Sequence, residues 1–287
     1  MALPRLPSFD LVVATIGRVT ELDRLLSSLD EQAYKDFRVL IVDQNGDDRV
    51  DGVLRRHASL DVVLVRAERG LSRARNAALG ALKADVVAFP DDDCSFPSDL
   101  LDRIARRLAD HPELDGLTGR AVDPHGSSSP TWAADPAVLT RTNLWNRGIS
   151  YTIFLRRAIV ERVGPFDEQL GLGSPRQWSS GEEIDYLVRA IGSGARIEYD
   201  PALVVLHDVP SLTPMSLRAI GARDGASVGY ILRKHRYPPQ LVARMMLRPA
   251  GGALLATLRR DRERAGFHVS TLRGRVLGYR HAGAGSS

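Results

Sequence analysis

Cysteine is all but missing from this chain: Cys94 stands alone among 287 residues. That excludes an intrachain disulfide, and no Cys/His spacing suggests a zinc site, so a reducing, cytoplasmic setting is the expectation. Long hydrophobic runs are lacking as well. Nowhere do about 18 uninterrupted apolar residues occur, and Met1 to Ser8 place no long apolar stretch behind a basic start. The expectation is a chain that is neither secreted nor membrane-spanning. Repeats and low-complexity tracts are absent too. What remains is ample length for a large core, as one big α/β domain or as one domain with an appendage.

The formal charge of +4 conceals an asymmetry. Residues 1–208 hold 25 Lys+Arg against 32 Asp+Glu, a balance of −7, whereas residues 209–287 hold 14 against 3, a balance of +11. The two parts therefore suit different partners.

The most informative stretch runs Ala84-Asp85-Val86-Val87-Ala88-Phe89-Pro90-Asp91-Asp92-Asp93-Cys94. An apolar strand leads into three consecutive carboxylates, whose mutual repulsion calls for a cation. In an extended segment Asp91 and Asp93 share one face and Asp92 points away. Oxygen ligation of this kind suits magnesium or manganese, which commonly bind together with phosphate-bearing substrates. A solvated acidic turn ahead of a helix opened by Ser98 or Asp99 is the plainer alternative.

Around this stretch, strands and helices alternate. Strands are expected at 10–15, 37–43, 61–65 and 85–89, with a helix through Leu22, Leu25, Leu26 and Leu29 behind Thr20 as N-cap, and another over 71–82. The implied fold class is α/β, a Rossmann-like, mostly parallel sheet flanked by helices. In such sheets ligands bind beyond the carboxyl ends of the strands, where Thr15, Asp43 and Asp91 fall. Residues 123–148 read as a long irregular loop, an expected acceptor-side lid. A second α/β portion follows, with a strand near 151–155, a turn at 164–167, a helix opening near Gly181, and a strand over 202–206 that ends in His207.

Five segments in this order carry a family resemblance: Val13-Ala14-Thr15-Ile16-Gly17-Arg18, Val42-Asp43-Gln44-Asn45, Gly70-Leu71-Ser72-Arg73-Ala74-Arg75-Asn76, Phe89-Pro90-Asp91-Asp92-Asp93 and Ser180-Gly181-Glu182-Glu183-Ile184-Asp185, with His207 beyond. Over residues 9–208 the chain resembles glycosyltransferase family 2, inverting enzymes of the GT-A fold that use nucleotide sugars. The resemblance implies Asp93 as direct metal ligand, Asp91 near the ribose or the metal, and His207 as a late metal or diphosphate contact. It places Thr15, Arg18, Asp43, Arg75 and Asp92 around the nucleotide. Manganese or magnesium is the implied cofactor. For His207 a strand-capping role stays open, and for Arg75 an ordinary surface charge.

The acidic cluster after Gly181 holds the implied general base. A carboxylate of ordinary pKa, about 4.3, is ionised at neutral pH and ready to take a hydroxyl proton. Family members usually show Glu-Asp there, and this chain has Glu-Glu. Glu183 takes the base position by alignment. Ser180 to Glu183 also fits a capping box, which would leave the role to Glu182.

The expected organisation is a catalytic domain over 1–208, with a nucleotide-sugar half (1–122) and an acceptor half (123–208), and a basic helical extension over 209–287. The expected partners are a nucleoside-diphosphate sugar and a hydroxyl acceptor, either a cell-envelope glycan or a lipid-linked one. In the extension, short helices with arginine rims suit an anionic membrane surface, so peripheral attachment to the cytoplasmic leaflet is one reading. Packing on the catalytic domain is the other. A sugar-phosphate nucleotidyltransferase is an alternative function, although Thr15-Ile16-Gly17-Arg18 lacks the Gly-rich basic loop it needs. A basic nucleic-acid-binding protein is a further one; no binding module or stacking aromatics accompany the basic residues, so no nucleic acid is expected.

Overall fold

The computed structural model describes residues 5–123, 125–128, 132–176, 178–207 and 214–281. It divides into two compact units, the first comprising Met1–Arg69, Arg73–Phe166 and Tyr186–Val209, the second Gly70–Ser72, Asp167–Asp185 and Pro210–Ser287. The break after Asp208 used for the charge balance lies outside the described residues.

The first unit is built on one sheet. Its strands are β1 (Phe9–Thr15), β2 (Phe37–Asp43), β3 (Val62–Arg66), β4 (Val86–Ala88), β5 (Cys94–Ser95), β6 (Gly116–Val122), β7 (Ala137–Val138), β8 (Ile153–Arg156) and β9 (Ile197–His207), in spatial order β3-β2-β1-β4-β8-β6-β9-β5 with β7 on β9. The long pairings are parallel: seven residues of β1 on β2, five of β2 on β3, and β6 beside β9. β8 enters antiparallel between β4 and β6, and β5 and β7 are short antiparallel additions to β9.

β1 is buried along its whole length, which explains the apolar residues 11–14 at its centre. Beside it run α1 (Val19–Asp30), α2 (Asp51–Arg56), α3 (Leu71–Ala78), α4 (Leu100–Asp110) and α5 (Arg157–Val163). Leu22, Leu25, Leu26 and Leu29 of α1 join Leu100, Leu101, Ile104 and Leu108 of α4 in one core with β1 and β2. Each such side chain contributes about 1.5–3 kcal/mol by leaving water. Asp10 is a charge held inside β1: it is paired with Arg38 at 2.6 Å and accepts hydrogen bonds from the Lys83 and Ala84 amides, fastening β1 to the turn before β4.

Several boundaries differ from the sequence expectation. α1 opens at Val19 with Arg18 at its N-cap and no side-chain cap, so Thr20 is inside the helix. The strand expected from Tyr151 starts at Ile153, because Ser150–Thr152 first makes a 3-10 turn closed by a Thr152-to-Ile149 hydrogen bond. The loop over 123–148 contains β7 and a 3-10 turn at Leu144–Asn146, and some of its residues lie outside those described.

α6 (Glu182–Gly192) begins in the second unit and continues, from Tyr186, in the first. The second unit is completed by α7 (Pro214–Lys234), α8 (Pro239–Leu258) and α9 (Arg262–His281). These are long helices of 21, 20 and 20 residues, not the short ones expected. α7 and α9 meet backbone to backbone: a Cβ at Gly225 or Gly229 would overlap carbonyls of α9, and one at Gly274 or Gly278 those of α7. α8 is long and apolar enough, by length and composition, to cross a membrane, a length test that uninterrupted runs do not register.

Candidate active site

In the first unit, the carboxyl ends of β1, β2 and β4 converge. β1 ends at buried Thr15, and the Gln44 amide bonds back to its carbonyl as the chain leaves β2. Gly17, at φ +73°, turns the chain so that its amide donates to Asn45 Oδ1 at 2.8 Å. Asp43 is buried, accepts from the Asn45 amide and side chain, and is ion-paired with Arg66 at the end of β3. Much of its acceptor capacity is thus engaged within the protein. Arg66 was missed in the sequence because its partner, Asp43, lies 23 residues away in the chain and meets it only when β2 and β3 pair.

After β4 the chain bridges once to β1, at Ala14 and Asp91, and then reverses: the Cys94 amide bonds to the Asp91 carbonyl, and Cys94 pairs with His207 on β9. The extended geometry expected for Asp91 to Asp93 is therefore replaced by a turn. Asp91 and Asp93 do converge, but through that reversal. Asp92 stands apart from that pair, buried, hydrogen-bonded with Thr15 and paired with Arg18 at 3.1 Å. Burial pushes its carboxyl up to about 6, against those two partners.

The three carboxylates do not depend on a metal ion for charge balance. Arg18 pairs with Asp93 as well as Asp92, and Arg75 pairs with Asp91 at 3.0 Å, so guanidinium groups already balance the cluster. Arg75 is 1% exposed, its guanidinium 5.9 Å from the ring centroid of Phe89 and 5.5 Å from that of Phe166. The surface-charge reading of Arg75 is excluded. Planarity lets a guanidinium stack and pair at once, which an ammonium cannot match.

Asp91, Asp93 and His207 offer one ligand atom each, all within 4.8 Å of one another. Ligands of a six-coordinate manganese or magnesium ion lie up to about 4.2 Å apart across it, so two carboxylates and an imidazole at this spacing fit such an ion with little closure. His207 Nε2 lies 3.2 Å from Asp93 Oδ1, and its ring stacks on Tyr151, with centroids 4.8 Å apart and planes within 6°. Burial alone would raise the Asp93 carboxyl, but the His207 contact and the Arg18 charge hold it below its ordinary value. Ser150 donates to Asp91 at 3.2 Å. Ser150 and Tyr151 were missed in the sequence, where Tyr151 read as the start of a strand. Cys94 is buried, which pushes its thiol well up and leaves it a structural residue.

In the second unit, burial sorts the acidic residues opening α6. Asp185 is fully buried, 2.7 Å from both Lys234 Nζ and His235 Nε2 on α7 and beyond. Glu182 is buried and Glu183 half-buried. The capping box does not form: the Ser180 hydroxyl donates to Asp224 and its amide to Ser227 Oγ, both on α7.

A family profile described as "Glycosyl transferase family 2" matches residues 10–163, more than half of the chain. The chain belongs to glycosyltransferase family 2. Relatives of this family 2 chain include the "Pre-mycofactocin glycosyltransferase" of Mycobacterium tuberculosis, 28% identical over 279 residues, covering 89% of this chain and 54% of that protein. The chain thus spans about half the length of that relative. "Glycosyltransferase AglE" of Haloferax volcanii is 22% identical over 239 residues, covering 80% of this chain and 71% of that protein. Among solved structures, the mannosyltransferase PcManGT from Pyrobaculum calidifontis, determined with GDP-Man and Mn2+, matches with a TM-score of 0.66 at 19% identity, over 96% of this chain and 87% of that one. Residues 1–349 of S. aureus TarS, with UDP-GlcNAc, match at 0.62 and 16% identity, over 92% of this chain and 90% of that one. These likenesses establish the GT-A fold, with its family 2 sheet and added C-terminal helices.

Proposed function

We propose that this chain is a metal-dependent, inverting glycosyltransferase that moves a sugar from a nucleoside-diphosphate donor to a hydroxyl of a glycan, lipid-linked or of the cell envelope, on the cytoplasmic side of a membrane. The observation that carries the reading is the meeting of Asp91, Asp93 and His207 between two paired arginines at the strand ends. Asp91, Asp93 and His207 would hold manganese or magnesium. The cation, when bound, supplies Lewis-acid stabilisation of the charge left on the diphosphate. Arg18 and Arg75 add positive charge close to the same carboxylates, and Thr15, Asp43 and Asp92 shape the nucleotide side. That solved structures of similar fold were determined with GDP-Man and Mn2+ or with UDP-GlcNAc supports a donor of this class.

Glu183, half-buried where Asp185 is sealed in an ion pair, is the proposed base. The acceptor oxygen attacks the anomeric carbon as the bond to the diphosphate breaks and its electron pair leaves with the phosphate oxygen. The acceptor proton passes to the Glu183 carboxylate. A single displacement inverts the anomeric centre. Residues 123–148 are the proposed acceptor-side lid.

Calorimetry with a panel of nucleoside diphosphates, with and without manganese, tests the donor reading. Manganese-dependent binding that Asp93→Ala abolishes is the expected result; binding indifferent to both sinks the metal assignment. For the base, turnover is expected to vanish in Glu183→Gln and to survive in Glu182→Gln, and the opposite pattern moves the role to Glu182.

A further inference from the structure

α8 has two faces of different character. Pro249 and Ala256, seven residues apart, are buried in its contact with α9, where a Cβ at Gly252 would meet the His268 ring at 2.7 Å. On the opposite side Leu247, Leu254 and Leu258 recur at helical spacing, with Leu255 beside them, and are 68%, 64%, 73% and 49% exposed. Single exposed leucines are ordinary, but four on one stripe of one helix are not.

The surroundings of the stripe are basic. Arg244 and Arg248 bracket Leu247, and the exposed Arg259, Arg260, Arg262 and Arg264 follow the C-terminal leucines. α8 itself, Pro239–Leu258, contains no Asp or Glu. We infer that α8 is an interfacial helix that lies in the plane of an anionic lipid surface, its leucines among the acyl chains and its arginines at the headgroups. The inference deepens the acceptor side of the function proposed above and rests on that reading for its purpose.

Charge complementarity selects this occupant. A second copy of the chain would set arginine rim against arginine rim across a two-fold axis, with only Asp261 and Glu263, just past the helix, to answer them. Spanning the bilayer is disfavoured as well, although the length allows it. Arg248 lies near the helix midpoint, and one side of the helix is already occupied by α9. A leucine stripe with an arginine border, parallel to the surface, satisfies both groups.

The test is co-sedimentation of the full chain with phosphatidylcholine vesicles, with and without phosphatidylglycerol. The native chain is expected to pellet with the anionic vesicles and to be released by salt. Because the stripe is solvent-exposed, Leu247→Ser/Leu254→Ser/Leu258→Ser leaves the core intact and is expected to weaken partitioning roughly a hundredfold, while Arg244→Gln/Arg248→Gln selectively weakens binding to the anionic vesicles. Circular dichroism and manganese-dependent nucleoside diphosphate binding, measured on the same samples, should not change. Undiminished pelleting of the leucine variant overturns the inference. So does a native chain that ignores vesicles, or one that is a dimer by ultracentrifugation and becomes monomeric in the leucine variant. Nucleotide binding without vesicle binding would refute the docking helix alone; loss of nucleotide binding in the native chain would refute the transferase reading instead.

Discussion

Lys234, the last residue of α7, places its Nζ 2.7 Å from the fully buried Asp185 Oδ1 and 2.6 Å from Asp167 Oδ2. One ammonium thus ties the first turn of α6 and the loop before it to α7, with Tyr230 adding a hydrogen bond to Asp167. Burying a carboxylate is costly unless its charge is answered. Lys234→Met removes the ammonium that answers the buried Asp185 carboxylate while keeping the His235 contact, and should destabilise the fold by about 2 kcal/mol. Urea unfolding measures this, and Lys234→Met/Asp185→Leu is expected to recover most of the loss.

In the first unit, buried Arg75 pairs with the half-buried Asp91. Arg75→Met should cost roughly 3 kcal/mol, since it removes the charge partner of Asp91 and the stack on Phe89 and Phe166. Arg75→Lys should fail to rescue either stability or nucleotide affinity, because an ammonium cannot stack and pair in the same geometry. Thermal unfolding and calorimetry read the two effects separately.

Tyr151 should tune the metal site without touching the ion. Its ring lies flat on His207 and limits the orientations of the imidazole. Tyr151→Leu is expected to lower manganese affinity about tenfold, while Tyr151→Phe keeps the stack and the affinity. Electron paramagnetic resonance of free manganese during titration distinguishes them.

A pH effect is expected away from the site. His57 bridges Asp30 at 2.6 Å and Asp23 at 3.0 Å. The His57 hydrogen bond, with help from Arg56, lowers the Asp23 carboxyl; Asp30 is lowered as well, where burial alone would raise it, because Ser59 and His57 donate to it. Depressed carboxylates stabilise the folded state above their unfolded pKa, about 3.9, and lose that contribution as the pH falls through the folded values. The stability difference between the native chain and His57→Phe should therefore be full just above pH ~4 and shrink as the pH falls below it. Denaturant titrations across that range check the sign.

Much of the first unit was legible in the chain itself. The near-continuous apolar run at 10–15 and the leucine spacing in α1 admit few other structures, and the family motifs fall at strand ends because a parallel sheet collects its ligand residues there. Local chemistry of that kind determined the α/β class and the acidic stretch, whereas His207 was reached through the family resemblance. Tertiary structure alone decided how those residues meet. Asp91 and Asp93 converge through a turn that exists because β5 pairs with β9, some 110 residues away in the chain. Pairing across such distances also buried Arg75, set Asp92 against Thr15 and Arg18, and brought Tyr151 onto His207. The same holds in the second unit, where composition announced basic, apolar helices, but only the packing of α8 on α9 determined which leucines remain outside.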